Sequence, residues 1–156
     1  MGEQRVGLGF DVHARSGERT LRLGGVLFEG EEGLAGHSDG DVVCHAVADA
    51  LLGAAVLGDI GEHFPESDPT WSGIGGVDLL SRTIVLLQGA GRRPLGCDVT
   101  VICDRPAIAP RRDEIRDGLA SALGVGIDRV SVKATRPEGL GLSGDGVGAM
   151  AIASVA

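Results

Sequence analysis

The feature that most constrains this chain is an apolar helix whose first turns carry ionisable side chains. Residues 36–53 read GHSDGDVVCHAVADALLG. Val43 and Val47 begin a series of aliphatic residues at the three- and four-residue spacing of a helix that buries one face. Ser38 and Asp39 are the predicted N-cap residues, because their side chains can accept hydrogen bonds from the first helical N–H groups. The segment therefore predicts a core helix that begins at a polar site.

Two groups of polar residues suggest metal ligands. Asp41, His45 and Asp49 follow one another at four-residue spacing, and we interpret this helix face as an imidazole oriented by flanking carboxylates. Asp11 and His13 are two residues apart in RVGLGFDVH, whose alternation predicts a strand, so both point the same way. One carboxylate and two imidazoles suit Zn²⁺ with one position open for substrate, although ligand type alone also permits Mn²⁺ or Fe²⁺.

The order of elements predicts the fold class. Alternating segments, aliphatic helical patterns and glycine turns follow one another as two strands, two helices, a strand, a helix and two strands. This order favours an α+β fold, with a mixed β-sheet and helices packed on one face. Residues 1–156 are predicted to form one domain, and the polar stretch 58–76 is predicted to be a long functional loop. The predicted elements cover residues 5–13, 21–30, 36–53, 77–88, 95–104, 109–124, 129–135 and 149–156.

Composition excludes several classes of partner. Only three Phe and one Trp are present, so a stacking platform for nucleic-acid bases is not expected. The net charge of -8 argues against binding a polyanion through bulk charge. Three cysteines form no closely spaced pair and are interpreted as free thiols in a reducing compartment. Without a secretory pattern or a membrane-length apolar run, the expectation is a cytoplasmic protein that does not enter a membrane.

The glycine-rich stretches do not match known nucleotide-binding loops. GLGFDVH lacks the third glycine of a dinucleotide-binding motif, and no Gly-Lys-Ser/Thr sequence of a P-loop occurs. In TRPEGLGLSGDGVG, Thr135, Arg136 and Glu138 end a predicted strand before a run of glycines. Arg can bind phosphate oxygens with two donors, and Glu can hold a hard cation such as Mg²⁺ beside them. This loop is therefore a candidate phosphate site.

The motifs resemble a known enzyme family. GFDVHA, HSDGDVVCHAVADALLGAAVLGDIGEHFPESDP, VKAT and SGDGVG are similar to those of the 2-C-methyl-D-erythritol 2,4-cyclodiphosphate synthases, nearly from end to end of the chain. The resemblance implies a lyase of the non-mevalonate isoprenoid pathway, assembled as a homotrimer with active sites between subunits. Its substrate would be 4-diphosphocytidyl-2-C-methyl-D-erythritol 2-phosphate, a cytidine diphosphate derivative. The products would be 2-C-methyl-D-erythritol 2,4-cyclodiphosphate and CMP.

The resemblance also implies roles for individual residues. The zinc ligands would be Asp11, His13 and His45, and Glu138 would lie near a second cation, Mg²⁺ or Mn²⁺, held with the substrate diphosphate. The residues implied in catalysis are His37, Arg136 and Glu138. The residues implied in substrate binding are Asp11, Val12, His13, His37, Ser38, Asp59, Ile60, Gly61, Thr135, Arg136, Pro137, Glu138, Leu142 and Asp145, together with a flexible loop (Phe64, Pro65, Glu66, Ser67, Asp68) and a cytidine loop (Cys103, Asp104, Arg105, Pro106, Ala107, Ile108, Ala109).

The chain departs from the family pattern at four places. Arg136 stands where the family has Thr, and Pro137 stiffens that loop. Ala107 replaces the usual Lys of the cytidine loop, and Glu66 stands where Asp is common. In LSGDGVG, Leu142 keeps an apolar wall, while Asp145 replaces an Arg that the resemblance places near the trimer axis. Three carboxylates there would repel a diphosphate, so downstream isoprenoid diphosphates are expected to bind weakly.

Two other functions remain open at this point. A two-histidine, one-carboxylate site is also found in iron oxygenases, although no pattern of a strand-rich barrel surrounds these residues, and iron-dependent oxygen consumption would reveal that activity. Alternatively, the changed TRPE sequence would leave a trimeric metal- and nucleotide-binding protein with little turnover. Nucleotide binding without CMP release would identify it.

Overall fold

Five strands form the sheet of this protein. The computed structural model describes residues 2–141 and 145–156, so the predicted site residue Leu142 lies outside the described part. Each predicted strand is present, and the first runs beyond the site residues into a long hairpin arm. The strands are β1 (Arg5–Leu23), β2 (Val26–Leu34), β3 (Pro94–Ile102), β4 (Val130–Thr135) and β5 (Gly146–Val155).

The sheet is mixed, as the sequence predicts. Its strand order is β2-β1-β5-β3-β4. β1 is antiparallel to both β2 and β5, β3 is antiparallel to β5, and β3 and β4 are parallel. The Gly24–Gly25 turn joins β1 to β2, and both glycines have positive φ angles that suit so tight a turn. Together with the helices, this sheet confirms the α+β class.

The helices match the aliphatic patterns of the sequence. Ile115, Leu119 and Leu123 are buried on the last helix, as their spacing predicts. The polar stretch between the first two long helices is not a plain loop, because it includes a one-turn helix and a 3₁₀ turn at Pro69–Trp71. The helices are α1 (Val42–Ala55), α2 (Ile60–His63), α3 (Gly76–Gly89) and α4 (Arg112–Leu123).

Asp41, rather than Ser38 or Asp39, is the N-cap of α1, so the predicted cap is wrong. The Asp41 carboxylate accepts hydrogen bonds from the backbone N–H groups of Gly24, Gly25 and Cys44 at 2.8, 2.7 and 3.1 Å. Burial raises the pKa of this fully enclosed carboxyl, against the lowering effect of those N–H groups. Asp41 thus ties the β1–β2 turn to the start of α1.

β1 lies unusually close to α1. A Cβ atom at Gly7 would lie 2.0 Å from the Ala50 carbonyl oxygen, and one at Gly9 would lie 1.9 Å from the Ala46 carbonyl oxygen. The two glycines therefore let the strand rest directly on the helix backbone. Because Asp11 and His13 continue the same face of β1, this packing carries them toward α1.

The opposite face of β1 and β5 is apolar and exposed. Val6, Leu8 and Phe10 are 67%, 63% and 45% exposed, although alternation gives them the apolar side of the strand. Leu8 pairs with Ile152 of β5, and Phe10 pairs with Met150, so the exposed side chains form one continuous patch, which we call the outer apolar face. Such a patch is typical of a surface that another chain covers.

All three cysteines are buried free thiols, which confirms that part of the prediction. Burial raises the pKa of Cys97 to about 12 and that of Cys103 to about 11, so both stay protonated at neutral pH. Among residues 2–141 and 145–156, no helix combines the length and the hydropathy needed to cross a membrane.

Candidate functional site

Asp11, His13 and His45 meet at the junction of β1 and α1. The Oδ2 atom of Asp11 lies 3.0 Å from His13 Nε2 and 2.9 Å from His45 Nδ1. The three side chains each offer one ligand atom, and these atoms all lie within 4.8 Å of one another. This group, which we call the metal cluster, is the set of residues that the sequence predicted as metal ligands.

The electrostatics of the metal cluster keep its carboxylate charged. Burial alone would raise the pKa of Asp11, but hydrogen bonds and positive charge from His13 and His45 outweigh it and lower the pKa to about 2. The hydrogen bond to Asp11 raises the pKa of His13 in turn, against desolvation. An anionic carboxylate between two imidazoles is the ligand set that a divalent transition metal prefers.

His45 is oriented by Asp11 and Ser38, and not by the carboxylates on its own helix. Its Nε2 atom lies 3.1 Å from Ser38 Oγ, which also accepts a hydrogen bond from the Gly40 N–H group. The predicted flanking role of Asp41 and Asp49 is therefore wrong. Asp41 caps α1, while the carboxylate of Asp49 accepts a hydrogen bond from the Ile60 N–H group at 3.0 Å.

His37 precedes Ser38 and also faces this region. Its Nε2 atom is buried and makes no hydrogen bond within the described part of the chain. The His37 carbonyl accepts a hydrogen bond from the Gly73 N–H group at 2.8 Å, which holds the backbone in place. A buried imidazole nitrogen without a partner is costly unless a ligand provides one.

The metal cluster forms the floor of a small pocket. Its volume is about 170 Å³. One wall is apolar, and there the Phe64 and Trp71 rings meet edge to face with centroids 5.2 Å apart. The pocket is lined by Asp11, His13, His37, Ser38, His45, Ile60, Gly61, Phe64, Glu66, Trp71, Ile74 and Leu79.

Comparison with known proteins agrees with this arrangement. The family model described as the YgbB family matches residues 4–156. The chain belongs to the YgbB family. A relative from Symbiobacterium thermophilum named 2-C-methyl-D-erythritol 2,4-cyclodiphosphate synthase is 49% identical over 153 residues, covering 97% of this chain and 98% of that protein. The family predicted from the motifs is therefore confirmed, and with it an enzyme of this class.

Solved structures of YgbB relatives have the same fold. A 2C-methyl-D-erythritol-2,4-cyclodiphosphate synthase in a CDP-bound form superposes with a TM-score of 0.89 at 36% identity, over 97% of this chain and all of that one. The bifunctional IspDF from Campylobacter jejuni gives a TM-score of 0.92 at 34% identity, over 98% of this chain but only 42% of the larger protein. The iron oxygenase alternative finds no support in these relatives.

The loops expected to bind cytidine follow the ends of β3 and β4. We call residues 103–109 and 135–138 the edge loops. The register runs from Val12 to Gly148, Ile102 and Thr135, so three strand spacings of about 4.8 Å, or about 14 Å, separate the backbone of Val12 from that of Thr135. Residues 103–109 turn back toward β1, where the Arg15 guanidinium donates a hydrogen bond to the Arg105 carbonyl. None of the edge-loop residues lines the pocket of the metal cluster. One described chain thus holds the predicted site residues as two separate groups.

The side chains of the edge loops are mostly exposed. Arg105 pairs with Glu31 at 3.3 Å and Glu32 at 2.9 Å, so its guanidinium fastens the loop to β2. Arg136 and Glu138 are both exposed, and Glu138 has a φ angle of 52°, a left-handed conformation unusual for a residue with a side chain. Asp145 is exposed as well, and its carbonyl accepts a hydrogen bond from the Arg15 N–H group.

Several predicted substrate residues lie around the pocket without lining it. The Asp59 carboxylate caps α2 by accepting a hydrogen bond from the Glu62 N–H group at 2.9 Å, and Asp68 similarly accepts one from Thr70. Val12 lies on the outer apolar face because it alternates with Asp11 and His13. Pro65 and Ser67 flank Glu66, which does line the pocket.

Part of the apolar wall of the pocket was not predicted from the sequence. Trp71, Ile74 and Leu79 line the pocket but were not among the predicted site residues. Trp71 is the only tryptophan of the chain. It lies in a polar stretch whose sequence pattern does not predict a buried aromatic side chain. That isolated position was the one available signal, because the contact with Phe64 arises only in the folded chain.

Proposed function

We propose that this protein converts 4-diphosphocytidyl-2-C-methyl-D-erythritol 2-phosphate into 2-C-methyl-D-erythritol 2,4-cyclodiphosphate and CMP. The observation that carries the proposal is the metal cluster on the floor of a pocket beside the partnerless nitrogen of His37. The cyclodiphosphate synthase named among the relatives is 49% identical to this chain over nearly its full length. A solved relative carries CDP, a ligand of the same nucleotide class.

The metal cluster fits a divalent transition metal, and Zn²⁺ is the simplest choice. Its three residues supply one carboxylate and two imidazoles, which leaves a position free in a tetrahedral site. The lowered pKa of Asp11 means that its carboxylate is already deprotonated at neutral pH. A metal ion held there supplies Lewis acidity, which neutralises charge on a substrate phosphate.

The reaction joins two anionic groups of one substrate. The 2-phosphate oxygen forms a bond to the β-phosphorus, the bond from that phosphorus to the bridging oxygen breaks, and CMP leaves with that oxygen. The protein need not supply a nucleophile, because positioning and charge stabilisation dominate phosphoryl transfer. His37 and Ser38 line the pocket and would donate hydrogen bonds to phosphate oxygens, and the Phe64–Trp71 wall would exclude water from the methylerythritol.

A complete site would need a second copy of the chain. The pocket of about 170 Å³ is smaller than the roughly 300–1,000 Å³ of typical small-molecule sites, and no residue of the edge loops lines it. The outer apolar face offers an interface for assembly. We propose a homotrimer in which the edge loops of one subunit close the pocket of its neighbour.

The edge loops would bind the nucleotide end of the substrate. Glu138 supplies a single carboxylate, which suits Mg²⁺ or Mn²⁺ because such ions take most of their remaining ligands from phosphates and water. The exposed guanidinium of Arg136 has a charge suited to a diphosphate. The loop formed by residues 103–109 would bind cytosine largely through its backbone, since Ala107 offers no polar side chain.

The test is a direct assay of the purified protein. With zinc and Mg²⁺ present, the substrate should yield CMP and the cyclodiphosphate in equal amounts, detected by ³¹P NMR and chromatography. Removing metal with a chelator should stop the reaction, and adding Zn²⁺ back should restore it. Binding of CDP without any CMP release would instead identify the metal- and nucleotide-binding protein with little turnover.

A further inference from the structure

The pairing of β1 with β2 is irregular next to Arg19. Thr20 pairs with Glu32, and the register shifts on both sides of this pair, after Ser16–Gly33 and before Leu21–Phe28. The register is the same before and after this stretch, so the irregularity belongs to both strands. A Cβ at Gly33 would lie only 2.7 Å from the Arg19 Cβ, so β2 packs closely against this residue. Irregular pairing beside a functional site commonly redirects a side chain.

The Arg19 guanidinium donates a hydrogen bond to the carbonyl oxygen of Ser38. The hydroxyl of the same serine lies 3.1 Å from Nε2 of the metal-cluster residue His45. Arg19 thus restrains the segment that carries His37 and Ser38 through a hydrogen bond to its backbone. The bond is local in space but spans 19 residues of sequence, so only the folded hairpin creates it.

The charge of Arg19 is not neutralised by a nearby carboxylate. No ion pair among residues 2–141 and 145–156 involves Arg19, whereas Arg82, Arg105 and Arg111 each pair with an acidic side chain. The described lining of the pocket includes two acids, Asp11 and Glu66, and no Lys or Arg. The chain has a net charge of -8, so the positive charge of Arg19 on this segment differs in sign from the protein as a whole.

We infer that Arg19 is a positioning residue for the anionic substrate. It orients the His37–Ser38 segment through the Ser38 carbonyl, and its charge raises the affinity of that segment for a phosphate group. The inference rests on the proposed function, since it assigns Arg19 to the phosphate that enters the metal-cluster pocket.

Two substitutions separate the charge from the hydrogen bond. Arg19→Gln keeps a donor for the Ser38 carbonyl but removes the charge, and we expect KM for the substrate to rise about tenfold with kcat within about threefold. The dependence of kcat/KM on salt should weaken, which a merely structural role would not produce. Arg19→Lys keeps the charge and should retain the salt dependence. CMP affinity and zinc content should stay within twofold of the wild type in both variants.

A matched control lies on the same strand. Arg22 is exposed and its guanidinium reaches only the carbonyl of Gly25 in the adjacent turn, at 3.4 Å, so Arg22→Gln removes one positive charge without touching Ser38. We expect its KM and salt dependence to match the wild type. If Arg19→Gln also matches the wild type, or if its kcat and zinc content fall together with an unchanged salt dependence, the inference is wrong.

Failure of the inference can be distinguished from failure of the proposed function. A wild-type protein that releases no CMP from the substrate contradicts the proposed function itself. A wild-type protein that turns over, with a KM unaffected by Arg19→Gln, contradicts only the role of Arg19. Should Arg19→Gln not fold, Arg19→Lys decides the question. Retained salt dependence with KM within about threefold supports the role, and loss of that salt dependence overturns it.

Discussion

The metal cluster and the edge loops differ in how completely one chain builds them. Asp11, His13 and His45 are fixed by a strand, a helix and mutual hydrogen bonds of 2.9–3.0 Å. The edge loops instead expose Arg136 and Glu138 on the far side of the sheet. A single fold therefore supplies one preorganised group of side chains and one group that is mostly exposed.

Under the proposed function, this difference suits the two regions to different tasks. A metal ion needs ligands at fixed distances before it arrives, and residues supported by regular elements provide them. A diphosphate with a flexible linker can be captured by exposed side chains and then positioned when a neighbouring chain closes the site. The metal cluster should therefore bind a metal ion in any state of assembly. The edge loops should contribute to substrate binding only in the assembled protein.

The largest effect is expected from His45→Ala, which removes one ligand of the metal cluster. Turnover should fall by at least about a thousandfold, because several kcal/mol of charge stabilisation are lost with the metal. Zinc content, measured by mass spectrometry, should fall with it while the fold is retained. His63→Ala is the matched control, since His63 contacts the Leu57 carbonyl and lies outside the pocket lining. Stoichiometric zinc with wild-type turnover would rule out His45 as a ligand.

Leu8→Glu should separate the two regions from each other. Leu8 is 63% exposed on the outer apolar face, so a charge there should leave the single chain folded but oppose assembly. We expect a monomer by light scattering that still binds zinc and has lost at least about a hundredfold in turnover. Val85→Glu, at a position 65% exposed on α3, controls for the added charge. A fully active monomer would contradict the shared site.

Glu138→Gln tests the edge loops alone. The substitution keeps the shape of the side chain but removes the charge that would hold a second cation. Turnover should fall about tenfold to a hundredfold, and the dependence of the rate on Mg²⁺ should weaken, while zinc content stays constant. An unaltered Mg²⁺ titration would show that Glu138 is not involved.

Arg136→Thr is expected to have the smallest effect. It restores the residue that related synthases are expected to carry, so turnover should persist within about fivefold. If the guanidinium faces the diphosphate, CDP affinity and its salt dependence should both decrease. Calorimetry at two salt concentrations measures both. Equal affinity and equal salt dependence would place Arg136 away from the ligand.

Local patterns in the sequence were enough to find all three residues of the metal cluster. Asp11 and His13 share a face because alternate residues of any strand do, and the helix carrying His45 follows from its aliphatic spacing. The role of Asp41 could not be predicted in the same way. Its carboxylate binds the N–H groups of Gly24 and Gly25, a contact made by the folded hairpin and not by neighbours in sequence.

The alternating pattern of β1 also left open which face would be buried. Val6, Leu8 and Phe10 are the apolar side of the strand, yet the glycine side packs against α1. Alternation indicates two faces but does not show what covers each one, and a chain that assembles can bury its apolar side between subunits. The separation of the edge loops from the pocket could not be predicted for the same reason, because it depends on how the elements pack and not on local sequence patterns.

The glycines beneath the metal cluster limit how this enzyme can be redesigned. Since Gly7 and Gly9 set β1 against the carbonyl groups of α1, main-chain contact fixes the spacing between the ligands on the strand and the ligand on the helix. Changes to Ile60, Phe64 or Trp71 can therefore reshape the pocket for a different substrate without disturbing metal geometry. Even Gly9→Ala would push the strand away from the helix. Directed evolution should therefore find substitutions that change specificity in the pocket wall, and almost none at Gly7 or Gly9.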